Sequence, residues 1–348
     1  MSAAALDASL PLAGIRVLDL TRLLPGPLAT RRFVELGAEV LKIEGPADQG
    51  QDDGTRTMGL TAADRQAGEP ALTFRELNRG KQLLRLDLRQ PEGVAALLEL
   101  VRDADVLIEG FRPGVMDKLG LGWQALHAVN PRLVMCAISG YGQHGAWAHR
   151  AGHDINYIAM AGVLEQIATL DGELAVPNFQ IGDLLGGTQA AVAGVLAALV
   201  GAQRSGQGRF VDVSMAHEVL RHHVLATFTL KATGRTPVPG RDLLSGGAPC
   251  YGVYRTSDAR HLAVGALEPK FWQALCTTLG RPEWVGQHWS RGLVPGGAAS
   301  MALRAELAAV LAAEPLAHWV ARFEAVDACV TPALRLDETL AHPVFLMK

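Results

Sequence analysis

The strand–helix alternation that runs from residue 15 to residue 215 constrains this chain more than any other feature. A short apolar run at 15–20 is followed by T-R-L-L-P-G-P, a helical stretch reaching Leu36, and a second apolar run at 39–44. That is one βαβ unit. The pattern continues with a strand at 83–88, a helix at 92–102, a strand at 106–110, a helix at 123–129 and a strand at 133–138. A long Ala/Val/Leu helix at 188–203, a strand at 210–213 and a helix from Met215 complete it. Strands that alternate with helices pair in parallel and are covered on both faces.

The character changes near Gly234, where P-V-P-G and S-G-G-A-P mark a linker. Short strands at 251–254, 261–264 and 328–332, with helices at 270–279, 302–313 and 318–325, describe a small α+β region. The expected fold is α/β. A large Rossmann-like domain with a mostly parallel sheet covers 1–233, a smaller α+β domain covers 234–325, and 326–348 returns towards the large domain. The polar, Gly/Asp-rich stretch 48–69 reads as a mobile loop.

Composition excludes several classes. With 348 residues and 49% hydrophobic content the chain has enough apolar sequence for one large core, or one large and one small. Lys+Arg 32 against Asp+Glu 35 leaves no electrostatic footprint for nucleic acid or an anionic membrane. The apolar run 190–202 is short for a bilayer span, and M-S-A-A-A-L-D lacks the basic region of a signal peptide. Cys136, Cys250, Cys276 and Cys329 are scattered without C-x-x-C. They read as buried thiols of a cytoplasmic protein, not a zinc site or a disulfide frame.

Several catalytic motifs fail on spacing. T-R-L-L-P-G-P stands where a dinucleotide fold would carry G-x-G-x-x-G, although its backbone N–H groups remain free to face a ligand. His217 and His222 are five apart, and a zinc-protease helix needs four. Ser139 lacks the glycines of a nucleophile elbow. Basic residues Arg79, Lys81, Arg112 and Lys118 fall at strand ends or the loops after them, where open α/β sheets bind ligands. They suit a phosphorylated ligand such as coenzyme A, or they are solvated loop charges. G-H-D-I-N-Y sets His153 beside Asp154, and isolated carboxylates follow at Asp183 in I-G-D-L-L-G-G and Glu268 in V-G-A-L-E-P. Acid/base groups in apolar, glycine-rich sequence are open to desolvation. The pattern alone also fits a core histidine and helix-capping aspartates.

Taken together, V-L-D-L-T-R-L-L-P-G-P, G-A-E-V-L-K-I-E, L-N-R-G-K, F-R-P-G-V, S-G-Y-G-Q, A-G-H-D-I-N-Y, V-D-V-S-M and D-A-C-V-T-P resemble the family III CoA-transferases (the CaiB/BaiF family) and their relatives the 2-methylacyl-CoA racemases. The resemblance implies an interlocked homodimer and an acyl-CoA thioester as substrate, with no permanently bound cofactor and no metal. Coenzyme A is expected along Lys81, the run Arg85, Leu86, Asp87 and Leu88, then Phe111, Arg112 and Lys118, and finally Gly152, Asn156 and Tyr157. Departures from the racemase pattern are Gly45 in place of an arginine, Ser245 where Asp is common, and an end at Lys348, which is expected to alter the dimer.

In the racemase pattern His153 and Asp183 form a two-base pair and Glu268 orients or polarises His153. N–H groups at a helix start near Asp154 would stabilise the enolate. Met160 and Leu164 are expected to line an apolar acyl pocket. The alternative is CoA transfer, in which the resemblance places the nucleophilic aspartate at Asp154 as an acyl-enzyme. A further alternative is a non-catalytic acyl-CoA binding protein.

Overall fold

Six parallel strands in the order β3-β2-β1-β4-β5-β6 form the main sheet. The computed structural model describes residues 9–46 and 52–346. In chain order come β1 (Arg16–Leu20), α1 (Pro25–Glu35), β2 (Glu39–Glu44), α2 (Ala62–Ala67), α3 (Leu72–Leu77) and β3 (Gln82–Arg85). Next are α4 (Pro91–Arg102), β4 (Val106–Glu109), α5 (Val115–Lys118), α6 (Trp123–Val129), β5 (Val134–Ser139), α7 (Asp154–Met160) and α8 (Val163–Gln166). A π-helical turn, Gly182–Gln189, runs straight into α9 (Ala190–Ser205), followed by β6 (Phe210–Ser214) and α10 (Met215–His222).

The strands alternate their side chains between two apolar layers, as burial on both faces of a parallel sheet requires. Val17, Val106, Ile108, Val134 and Cys136 pack with Phe33 of α1 and Val195 and Leu199 of α9. Leu18, Leu20, Leu107 and Met135 face the other way, onto Leu97 and Val101 of α4 and Leu126 of α6. Because the chain winds outward from β1 in both directions, the carboxyl ends of β1 and β4 form the topological switch point. There the crossover loops diverge and leave a crevice.

α11 (Val224–Thr233), β7 (Tyr251–Arg255), β8 (His261–Gly265), α12 (Pro269–Thr278), α13 (Ala298–Leu311), α14 (Leu316–Phe323), β9 (Val330–Pro332), α15 (Leu336–Ala341) and α16 (Pro343–Leu346) complete the chain. β7, β8 and β9 make an antiparallel sheet with its own core of Tyr254, Trp272, Trp284, Leu307 and Trp319.

The contacts divide the chain elsewhere than expected. One unit runs to Val163 and resumes over Asn178–Val224, and the second takes Leu164–Pro177 and the described chain from Leu225 on. Gln166 Nε2 donates to Pro237 O (3.2 Å) and Arg241 Nε to Leu170 O (2.7 Å), which ties 164–177 to the segment after 234. In the described part of 326–348, β9 pairs with β8, and Arg260 grips Glu338.

Four local expectations also change. The third strand stops at Arg85, so Leu86 to Leu88 lie beyond it. The helix expected at 188–203 starts earlier because of the π-turn, and Gly182–Ser205, at 24 residues, is long and apolar enough to cross a membrane by length and composition. Here Ala191, Val195, Ala198, Leu199 and Ala202 of that helix are buried in the core beside β5. Cys329 is exposed, while the other three thiols are buried. Of the stretch 48–69, residues 48–51 lie outside the described residues. The rest is held in place by ion pairs of Arg56 with Glu44 (2.6 Å) and Arg75 with Asp64 (2.9 Å).

Under the β1–α1 loop lies a buried charge network. Asp19 accepts from Thr21 N and Oγ1, from Thr30 Oγ1 (2.6 Å) and from Lys81 Nζ (3.0 Å). Lys81 also donates to Pro27 O and Asn78 Oδ1, both at 2.8 Å. Lys42 Nζ donates to Thr21 O (2.8 Å) and pairs with Asp53 Oδ2 at 3.3 Å. Asp53 Oδ1 in turn accepts from Leu23 N (3.1 Å), whose residue sits at φ 65° in the left-handed region. Burial works against the Asp19 charge, yet Lys81, Lys42 and the two threonine hydroxyls outweigh it and hold its carboxyl well below the usual range. Burial also pulls Lys81 down to about 8, with Asp19 working against that fall. Replacing Asp19 with alanine leaves the buried Lys81 ammonium without its carboxylate and is expected to cost about 3–5 kcal/mol, read by urea-induced unfolding.

Candidate active site

A cavity of about 490 Å³ opens at the switch point, entirely within the first unit. Its walls are the loop after β1 (Thr21 to Gly26), the loop after β4 (Gly110 to Pro113), the end of β5 (Ile138 to Gly140), the segment leading into α7, and Asp183. Glu109 shapes the second of these. Its Oε2 accepts from Phe111 N at 2.6 Å, and burial pushes its carboxyl up to about 8.

His153 is the N-cap residue of α7 and lines the cavity with its side chain exposed. Its backbone N–H donates to Asn156 Oδ1 (3.0 Å), which fixes the entry of the chain into the helix. Tyr157, one turn on, donates from its hydroxyl to Gly152 O at 2.5 Å. Burial, with the Asp183 charge, pushes its phenol up to about 12. Gly140 is small because the ring needs the space: a Cβ there would lie 2.5 Å from Tyr157 Cε1.

Asp183 is carried by the π-turn, a rare geometry that occurs frequently at functional sites. The turn is wedged against α10 so closely that a Cβ on Gly186 would lie 2.5 Å from Met215 O. Burial, reinforced by the nearby Asp154 carboxylate and opposed by His153, raises Asp183 to about 6. The cavity therefore presents an imidazole and a carboxyl poised to hold or release a proton near neutral pH.

Asp154 is placed differently from its neighbour. It occupies the first turn of α7, not the cap, and its Oδ1 accepts from Asp183 N at 3.0 Å. It is not part of the cavity wall. The carboxylate facing the cavity is Asp183, which corrects the placement of a nucleophile at Asp154.

Among the coenzyme A contacts expected, Phe111, Arg112, Gly152, Asn156 and Tyr157 line the cavity. Lys81 does not, since its ammonium is spent on Asp19. Arg85 donates to Gly45 O (2.9 Å), Asp87 is engaged by Arg89, and Leu86 and Leu88 pack against the α4 layer. That run lies at the carboxyl end of the edge strand, on the same edge of the sheet as the cavity but outside it. Lys118 ends α5, exposed and off the cavity wall. Glu268 is an exposed residue of the second unit, at the start of α12. Met160 is exposed, and Leu164 belongs to the second unit.

Arg22 and Arg150 line the cavity and were not singled out from sequence. Arg150 lies over the Trp147 ring, 5.5 Å from its centroid. Neither they nor Arg112 has a carboxylate partner among the described residues, which leaves guanidinium charge for an anionic ligand. Their signal was present, as Arg22 is in T-R-L-L-P-G-P and Arg150 is three residues before His153. Among the described residues no group of three or more His, Cys, Asp or Glu side chains is arranged to hold a metal ion.

A family model for CoA-transferase family III matches residues 12–348. The chain belongs to this family. Its family III relatives carry two activities in their names. Alpha-methylacyl-CoA racemase of Homo sapiens is 35% identical over 95% of this chain and 80% of its own length. Acetyl-CoA:oxalate CoA-transferase of Acetobacter aceti is 34% identical over 96% of this chain and 83% of its own. A CAIB/BAIF family protein from Brucella suis has a structure similar to this one, with a TM-score of 0.81 at 27% identity, covering 97% of this chain and 87% of that one. The family III fold is thus shown by sequence and structure alike.

The raised Asp183 sets a stability test. With a folded value of about 6 against 3.8 for the free group, the folded state holds the extra proton between those limits. Stability therefore falls as pH rises from about 4 to about 6, and stays lower above. Asp183→Asn is expected to stabilise the protein by about 1–3 kcal/mol at pH 7.5 and to change little at pH 4, measured by denaturant titration at the two pH values.

Proposed function

We propose that this enzyme interconverts the two configurations at the α-carbon of a 2-methylacyl-CoA thioester by 1,1-proton transfer. The observation that carries the reading is the presence of His153 and Asp183, the latter with its carboxyl raised to about 6 by burial, in one cavity at the switch point. Neutral His153 takes the α-proton from one face, and Asp183, protonated, returns one to the other. The opposite direction reverses the roles. Positioned acid/base groups of this kind contribute about 10²–10⁴-fold. The enolate oxygen takes the N–H groups that open α7, where the Asp154 N–H has no acceptor among the described residues. Arg22, Arg112 and Arg150 suit the phosphates of coenzyme A. The reaction as written uses no metal and no redox cofactor.

CoA transfer is the second reading, and the position of Asp183 favours a specific form of it. There an Asp183 oxygen attacks the thioester carbonyl, the C–S bond breaks, CoA leaves as thiolate, and a mixed anhydride remains on the enzyme. A second copy of the chain is the expected partner, supported by α11, where Leu225 and Phe228 are each 59% exposed, and by the apolar face of Leu336, Leu340, Val344 and Phe345.

In D₂O, the wild type should wash deuterium into the α-position of 2-methylacyl-CoA and scramble its configuration, and His153→Ala and Asp183→Ala should each lower the exchange at least 10²-fold. Because interconversion of the epimers consumes no net proton, kcat/KM for both should follow one shared pH profile, with a limb near pH 6 set by Asp183. Absence of α-exchange, together with a hydroxamate formed at Asp183 when hydroxylamine is added during turnover, would replace racemisation by transfer.

A further inference from the structure

Asp154 lies between the two acid/base groups without facing the cavity, and neither reading of the reaction gives its side chain a task. We propose that Asp154 is the positioning residue of this site: its carboxylate ties the first turn of α7 to the π-turn, so that His153 and Asp183 are held at one separation, and it sets a negative charge beside Asp183.

The tie is short and local. Asp154 follows His153 directly, and its Oδ1 receives the Asp183 N–H at 3.0 Å. Gly182 lets the two segments approach this closely, since a Cβ there would lie 3.0 Å from Asp154 Oδ1 and 3.1 Å from Asp154 O. One carboxylate thus fixes the element carrying the imidazole to the element carrying the acid.

The charges around Asp183 leave Asp154 as the anion that matters. After burial, Asp154 raises the proton affinity of Asp183 and His153 lowers it, while Tyr157 on the same helix stays neutral. The other elements packed on the π-turn are α1, α9, α10 and β6. They press Pro25, Met215 and Val219 against its glycines. Their charged groups are engaged elsewhere: Arg31 and Arg32 with Glu35, Arg221 with Glu218, His217 with Ser214, His222 with Glu218 O, and Asp212 with Gln143 N. Arg204 of α9 lies in its last turn, at the far end of that helix from the π-turn.

The inference rests on Asp183 being the exchanging carboxyl, but its test does not need turnover. The Asp183 carboxyl is titrated by carbon-13 NMR in protein labelled at the aspartate carboxyls, with the resonance assigned by its loss in Asp183→Asn. In Asp154→Asn, which keeps an oxygen for the Asp183 N–H but loses the charge, the midpoint should fall by about one pH unit. The acid limb of the α-exchange profile should move with it. Asp154→Glu, which keeps the charge, should hold the midpoint near that of the wild type. In Asp154→Ala kcat should fall about 10–100-fold with KM little changed, as expected when positioning and not binding is lost. An unchanged Asp183 midpoint in Asp154→Asn overturns the proposal, as does a midpoint that falls equally in Asp154→Glu. If the midpoint falls as expected while the wild type shows no α-exchange, racemisation fails and the role of Asp154 stands.

Discussion

The cavity depends on charges that never meet solvent. Asp19, Lys81, Lys42 and Asp53 are almost completely buried, and together they stitch the end of β1 to β2, to the loop before β3 and to the segment around Thr55. An ion network inside a protein is a poor source of net stability, because desolvation takes back most of the Coulomb attraction. What it supplies is definition. The Asp19 oxygens and the Lys81 ammonium are engaged by fixed partners, and Lys42 donates to Thr21 O, which holds the loop from Thr21 to Gly26 in place. The left-handed backbone at Leu23 is tolerated because Asp53 holds its N–H. A wall of the site is thereby made rigid from beneath, without any residue of the wall contributing to its own support except through its backbone and Thr21.

Much of the scaffold was legible because it obeys simple periods. The helix read at 123–129 coincides with α6, and the strands at 15–20, 39–44 and 133–138 are displaced by a residue at most at either end. The cores follow from strand alternation alone. What escaped were the places where local pattern and three-dimensional role part company. The π-turn has no period of its own in the sequence, so the apolar pattern places the helix start at Thr188 and not at Gly182. Lys81 follows a glycine in a loop and looks like a ligand contact, yet its partner Asp19 lies 62 positions away, a pairing that only the fold creates.

The site itself was legible as a set of types and misjudged in its wiring. His153 and Asp183 were identified by resemblance, and the fold brings both to one cavity. Asp154 was harder to assign. Neighbours in sequence share chemistry on paper, but at a helix start the cap residue and the one after it point in different directions. His153 turns to the cavity and Asp154 to the backbone of another element. Chain adjacency suggested two competitors for one role, and the fold sets them in different surroundings. The arginines were overlooked for the opposite reason, since lone charges in loops carry no pattern at all.

The π-turn has a further consequence for how this site tolerates change. An α-helix advances about 100° per residue, and a π-turn absorbs an additional residue without lengthening the helix by a matching step. The eight residues of this turn therefore set a phase offset between Asp183 and the buried stripe of α9. Phase, unlike side-chain identity, is a property of residue count. A single deletion between Gly182 and Gln189 would leave Asp183 chemically intact but remove the residue that the wide turn accommodates, and with it the turn geometry that presents the carboxyl to the cavity. The length of this short segment is as much a determinant of the site as the carboxyl it carries.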